Sequence, residues 1–341
     1  METTDTNYCK IKIKQIYCFL KFKLFKKEKI MCKKIFRITF LLLLLSASIL
    51  HGRISKKALL RKICCLQRAT NCICSELEII KNSSTSTPTS SPTSTCATLI
   101  TQTDIDSAGG TLLITESGLY KLCEDVNGCI EINTSNVTLD LDSHTISGQA
   151  NGVFVNSAQD VVIKNGSIKE AGIGIFSNEN SARIENVKIS DCSIAIYLSS
   201  DQNIVENCIV TSCENGIFIF GDDNTISNCK ITNITSSDSP YAIRIGRVDN
   251  SADFKQNSIF NNSIDTVSGV DNPPDLPSGI FALAESTRIV GNSVTKVTST
   301  EGNGVGIRTF GKIFNNTSFG NNKNYDLNLT NNGDNGNYVK N

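Results

Sequence analysis

The sequence predicts an all-β protein: a single-stranded right-handed parallel β-helix, or solenoid, with an N-terminal cap, preceded by a signal segment and a Ser/Thr/Pro linker. Three observations predict it. Residues 152–320 repeat one short strand-and-turn pattern, three copies of it align 21 residues apart without gaps, and nothing within the repeat has helix-length apolar periodicity.

The aligned copies are Arg183–Ile189, Ile204–Val210 and Thr225–Ile231, with Asn186, Asn207 and Asn228 at matched positions. The same motif precedes them at Asn165 and returns at longer intervals at Asn262, Asn292 and Asn316. Nine residues after Asn165, Asn186 and Asn207 stands a small residue, Gly174, Ala195 and Gly216, and this second motif recurs at Gly152, Ala242, Gly279 and Gly306. A period this short excludes a propeller blade, and the Leu-rich signature of leucine-rich repeats is absent. What fits is a chain wound into coils about 4.8 Å apart, each strand pairing with its counterpart one coil away.

The N-terminal segments follow from charge and composition. The net charge of zero hides a split: residues 1–81 hold 18 Lys and Arg against 5 Asp and Glu, and residues 82–341 hold 15 against 28. A folded part this acidic repels phosphate backbones, which excludes nucleic acid as a partner. The basic part leads into an apolar run, Ile38 to Leu45, followed by Ser46-Ala47-Ser48, the order of a signal peptide starting at Met31. The run is shorter than the roughly 20 residues of a membrane span, so no integral span is expected after cleavage, and the protein is expected in the cell envelope or outside the cell. Residues 1–52 therefore read as an extension plus signal. Residues 53–81 form a basic segment with helical spacing at Leu59, Leu60, Ile63 and Leu66, residues 82–98 a linker that cannot bury a core, and residues 99–341 the β-helix domain.

Within the domain, Thr111–Ile114, Gly118–Leu122, Ile130–Ile132 and Val137–Leu141 read as short strands. Alternation along the later strands assigns Val153/Val155, Ile173/Ile175, Ile194/Ile196, Ile217/Ile219 and Ile243/Ile245 to the interior. The Asn column marks a sharp turn, because Asn tolerates the left-handed conformation. Cys192 over Cys213 and Cys208 over Cys229, each one coil apart, read as disulfides, as a metal ladder, or as small hydrophobes in the core.

The run Asn136 to Gly148 (NVTLDLDSHTISG), followed by the Asn-Ser-Ile and Gly-Ile-Phe repeats, resembles the pectate-lyase-like superfamily and its right-handed β-helix repeat proteins. The resemblance covers about residues 110–325. It implies the fold and an asparagine ladder, and it allows several functions, since the fold hosts lyases, hydrolases, adhesins and proteins without catalysis.

The residues between the inward positions give the candidate site: Phe154, Phe176, Tyr197, Phe218, Arg244, Phe281 and Arg308, with Arg247 beside them. Rings repeated coil after coil on an outer face form a binding surface unless covered. One reading is a platform for polysaccharide, with arginines holding acidic groups. The other is a strip covered by residues 53–81, by the loop from Ser268 to Ser278, or by another subunit. For catalysis the candidates are few. Asp201 and Asp222 share a column with Asp223 adjacent, and two carboxylates about 5 Å apart repel unless a cation sits between them, so the three read as solvated turn residues or as a Ca²⁺ site, with no other cofactor expected. Gly221-Asp222-Asp223 is similar to the paired aspartates of polygalacturonases, yet the only histidines are His51 and His144, both upstream, so that constellation is incomplete. The expected function is an exported surface or envelope module that binds carbohydrate or a partner, with a polysaccharide lyase or glycoside hydrolase as the alternative.

Overall fold

The computed structural model describes residues 97–148, 150–246, 254–270, 276–282, 286–327 and 338–340. The expected signal, the basic segment and nearly all of the linker therefore lie outside the described residues. Between Thr98 and Lys340 the chain forms parallel strands in two sheets, one of eighteen strands and one of ten, wound as a right-handed solenoid of about ten turns.

The regular coils have three sides meeting at three left-handed corners. In one coil Ser181 (φ 64°), Asn186 (φ 56°) and Asp191 (φ 57°) are the corners. The strand Arg183–Ser190 bends around Asn186 to give two legs of the larger sheet, and Ile194–Leu198 supplies the third side, in the ten-stranded sheet. The next two coils repeat this at Gln202, Asn207 and Ser212, then at Asp223, Asn228 and Asn233, all with φ between 54° and 60°. A non-glycine residue in this region costs roughly 1–2 kcal/mol. The ladder hydrogen bonds and the buried columns on either side of each corner offset that cost.

Three inward columns fill the cylinder. Ile184, Val205, Ile226, Ile259, Ile289 and Ile313 stack in register on one leg. Ile189, Val210, Ile231, Ile264 and Val294 stack on the second. Val153, Ile175, Ile196, Ile217, Ile243, Ile280 and Ile307 stack on the third. All are at most 2% exposed. Burying each such side chain stabilises by about 1.5–3 kcal/mol, and the branched Cβ suits a pleated wall.

The cap is a short helix, Gln102–Ser107. Its N-cap Thr101 and Asp104 bond reciprocally as a capping box, and Ile105 is fully buried in the core of the first coil. Gln102 fixes the helix to the neighbouring strand: Asn127 N–H donates to its Oε1 (2.6 Å), and its Nε2 donates to Asn127 O (2.9 Å). Gly128 is required beneath it, since a Cβ there would lie 2.5 Å from Ile105 Cγ2 and from Gly110 O.

Two expectations are corrected. Ile173 and Ile194 do not point inward; they are half-exposed, and the inward position is taken by the following small residues Gly174 and Ala195. Pairing runs Ile173 to Ile194 and then Ile175 to Ile196, so strict alternation fails where the strand leaves its corner and two consecutive residues turn inward. At Gly174 even a Cβ requires a shift, because it would stand 2.5 Å from Ala195 O and 2.8 Å from Ile189 Cγ2.

The single Asn column is in fact two columns. Asn165, Asn186, Asn207 and Asn228 are corner residues, and the same corner in later coils is Asn261, Gly291 and Asn315. Asn262, Asn292 and Asn316 come one residue later, are 2%, 1% and 0% exposed, and continue the inward column of Cys208 and Cys229. Asn292 Oδ1 accepts the backbone N–H of Asn262 (2.9 Å), and Asn316 Oδ1 accepts that of Asn292 (2.9 Å). The Nδ2 groups donate up the same stack at 3.0 Å. A second buried ladder, absent from the sequence reading, joins Ala182 N, Asn203, Asn224 and Asn257 through the same kind of bond at 2.8–2.9 Å.

Candidate binding face

The site is built on the outer face of the ten-stranded sheet. Register carries Phe154 over Phe176, Tyr197, Phe218, Arg244, Phe281 and Arg308 in one unbroken column, so seven of the eight residues expected there come together. Arg247 and the loop residues 271–275 lie outside the described residues.

The column is not uniform. Phe154, Phe176 and Tyr197 are half-exposed, whereas Phe218 is 8% exposed and Phe281 fully buried. Tyr241, at 2% exposure, packs against both buried rings, with centroids 6.1 Å from Phe218 and 5.1 Å from Phe281. Phe220 adds a ring 6.2 Å from Phe218 and 5.2 Å from Tyr197. The rings thus make a second small apolar core on the outer face, joined by Ile194. Phe154 and Phe176 stack nearly parallel, 5.0 Å apart and 10° between planes, and Tyr197 meets Phe176 edge-on at 5.4 Å. The facing surfaces of that pair are occupied along the solenoid axis, each contact contributing about 0.5–1.5 kcal/mol.

Arg244 lies at the centre of this cluster. Its guanidinium carbon is 4.8 Å from the Tyr241 centroid, 5.5 Å from Phe218, 5.7 Å from Phe281 and 5.9 Å from Phe220. Its Nε donates to Gly246 O at 3.2 Å, and among the described residues no carboxylate pairs with it. A cation held over ring faces and lacking a counter-charge is suited to receive an anionic group, with bidentate geometry. Arg308 stands 5.5 Å from Phe281 on the following coil.

The acidic candidates are placed differently. Asp201 and Asp222 stack as expected, but their oxygens are used by the main chain. Asn180 Oδ1 accepts Asp201 N–H (3.0 Å), Asp201 Oδ1 accepts Asp222 N–H (2.7 Å), and Asp222 Oδ1 accepts Lys255 N–H (2.8 Å). Asp223 is an exposed corner residue with φ 55°. Among the described residues no group of three or more His, Cys, Asp or Glu is placed to hold a metal ion. Glu185 and Glu206 are bridged by Arg183, whose Nε donates to Glu185 at 2.9 Å and whose Nη2 donates to Glu206. The bond to Glu185 leads in raising the arginine's pKa. His144 packs near the first coils with Nδ1 3.4 Å from Asp125 Oδ1.

Cys192, Cys208, Cys213 and Cys229 are free thiols, each at most 3% exposed. The hydrogen bond to Cys229, and then burial, push the Cys208 thiol well above its ordinary range; Cys192 and burial do the same for Cys213. Cys192 and Cys213 lie along an open groove of about 720 Å³ with Glu170, Asp191, Glu214 and Asn233. Cys123, in contrast, is disulfide-bonded, and none of the other described cysteines is its partner.

No helix among the described residues is long and apolar enough to cross a membrane. Residues 128–276 match a family model described as a right-handed beta helix region. No curated protein and no solved structure matches the chain. The matched span includes the three gap-free coils that start at Arg183, Ile204 and Thr225, and the described residues fold as a right-handed parallel β-helix.

Proposed function

We propose that this protein is an exported surface or envelope module that binds an acidic glycan or a similarly charged partner through the outer face of its ten-stranded sheet. The single observation that carries the reading is Arg244, a cation set over four rings and, among the described residues, without a carboxylate partner. Anchoring comes from the guanidinium, and Tyr197 with the exposed edges of Phe154 and Phe176 extends the contact along the axis. The stacked Asp201 and Asp222 favour a module over an enzyme, because an oxygen of each is committed to a backbone amide of the next coil.

The test is binding of uronate-containing and neutral oligosaccharides to the intact chain and to Arg244→Gln, with thermal unfolding alongside. Loss of one charged hydrogen-bonding contact predicts roughly tenfold weaker binding to acidic ligands and no change for neutral ones. Equal binding of both ligand classes, unaffected by the substitution, would overturn the reading. Ca²⁺-dependent release of an unsaturated product absorbing in the near ultraviolet would replace it with the lyase alternative.

A further inference from the structure

The corner asparagines have a property that neither the ladders nor the binding face uses. Five of them are followed two residues later by Ser or Thr, and four of those five are exposed: Asn136-Val137-Thr138, Asn233-Ile234-Thr235, Asn261-Asn262-Ser263 and Asn315-Asn316-Thr317. Each of these asparagines is exposed and left-handed, with φ of 60°, 56°, 56° and 52°. The middle residue of each triplet is buried, and the hydroxyl residue returns to the outer surface. This follows from the strand period: a residue and its second neighbour share a face, so the carboxamide and the hydroxyl both look outward around one buried residue. None of the four carboxamides has a hydrogen-bond partner among the described residues, while the backbone N–H groups of Asn136 and Asn261 donate to Gln159 O and Val290 O of the next coil, both at 3.0 Å.

We propose that Asn136, Asn233, Asn261 and Asn315 are acceptor sites for N-linked glycosylation. In the transfer, the carboxamide nitrogen attacks the anomeric carbon of an oligosaccharide carried on an isoprenoid phosphate. The N–C bond forms, the C–O bond to phosphate breaks, and the amide proton leaves with the lipid phosphate. The donor is that lipid-linked oligosaccharide, supplied by the exporting cell, so the inference rests on export and is independent of the binding face.

The fold also determines which matching triplets stay unmodified. Asn316-Thr317-Ser318 fits the motif equally well, yet Asn316 is 0% exposed; its Nδ2 donates to Ile289 O (2.8 Å), and its Oδ1 accepts from Asn292. An oligosaccharide there would prevent the coil from closing. Asn165-Gly166-Ser167 is half-buried, and its Nδ2 is turned to Asp140 Oδ1 (3.4 Å). Asn133-Thr134-Ser135 is also half-buried, with Oδ1 shut off from solvent. Two further triplets, at Asn82 and Asn328, lie outside the described residues.

The experiment produces the full chain in cells that export and N-glycosylate proteins, then removes glycans with a peptide amidase in ¹⁸O water, which leaves ¹⁸O-Asp at each occupied position. Peptide mapping is expected to show the label at Asn136, Asn233, Asn261 and Asn315 and none at Asn316. In Asn315→Gln the label at that peptide disappears and is not transferred to Asn316. A chain recovered outside the cell without label at the four positions overturns the inference and leaves export standing. Label at Asn316 in folded protein overturns the selection by the fold. A chain held in the cytosol overturns export and the inference together.

Discussion

Substituting Asn292 by Ala tests the buried ladder at its centre. The side chain is 1% exposed and serves both neighbouring coils. Its Oδ1 accepts from Asn262 N (2.9 Å) and Asn262 Nδ2 (3.0 Å), and its Nδ2 donates to Ile259 O and Asn316 Oδ1, both at 3.0 Å. Alanine strands at least the Asn262 backbone N–H and weakens Ile259 O, in a site no water can reach without opening the coil. Each buried group left unsatisfied costs about 1–3 kcal/mol, so the expected loss is on the order of 3–5 kcal/mol once the small cavity is included. The matched control is Asn315→Ala, which changes an exposed corner and costs about 1–2 kcal/mol through the left-handed backbone alone. Urea unfolding followed by circular dichroism gives both values. Hydrogen exchange shows where the loss falls, because a solenoid opens coil by coil rather than all at once. If the two variants lose equal stability, or if Asn292→Ala loses less than about 1 kcal/mol, the division into a corner column and an inward ladder is wrong.

Other expectations concern the thiols and the small column. Cys192, Cys208, Cys213 and Cys229 should resist thiol reagents in the native protein, react together on unfolding, and remain unpaired under oxidants. Coils about 4.8 Å apart hold the Cβ atoms wider than the roughly 3.8 Å of a disulfide. A Cys208–Cys229 bridge found by mass spectrometry in folded protein would refute this. Burial, followed by the charge of Glu131, raises the Cys129 pKa from 9.0 to about 11. A raised folded pKa contributes stability that is complete below pH 9 and is lost as pH rises toward 11; alkylation of Cys129 should accelerate over the same interval, and a rate that levels off by pH 9 would contradict it. Gly174→Val should destabilise by about 1–3 kcal/mol from overpacking, and Gly174→Ala by less, since Ala195 and Ala242 occupy equivalent positions; a neutral valine would show that the strand can shift.

Much of the fold was legible because its period is short and gap-free. The aligned coils at Arg183, Ile204 and Thr225 give the strand register directly, and with it the inward Ile and Val columns and the outward aromatic one. Where reading failed, two registers fitted equally well or the contact was tertiary. Asn261-Asn262 and Asn315-Asn316 are both Asn pairs, so the motif aligned to the inward member and merged corner with ladder. Ile173 and Ile194 follow from strict alternation, which the bend at the start of that strand breaks. Arg183 reaches both Glu185 and Glu206 from a neighbouring column, a link that comparison within one column cannot find. The burial of Phe218 and Phe281 depends on Tyr241 and Arg244, which come from a longer coil whose alignment says nothing about what covers them.

The three left-handed corners have a consequence for how such a chain can change. From Ser181 to Asn233 they fall every five residues and then restart after the ten-stranded side, so each turn is closed by its own geometry and is nearly interchangeable with the next. A duplicated stretch of coding sequence one period long would lengthen the rod by a single rise and leave every neighbour in register. Extra residues, by contrast, fit only where the chain leaves or enters the ten-stranded side, as after Thr235 and after Ile245. Variation between descendants of this gene should therefore appear as changes in rod length and in loops along one side, and rarely as altered cross-section.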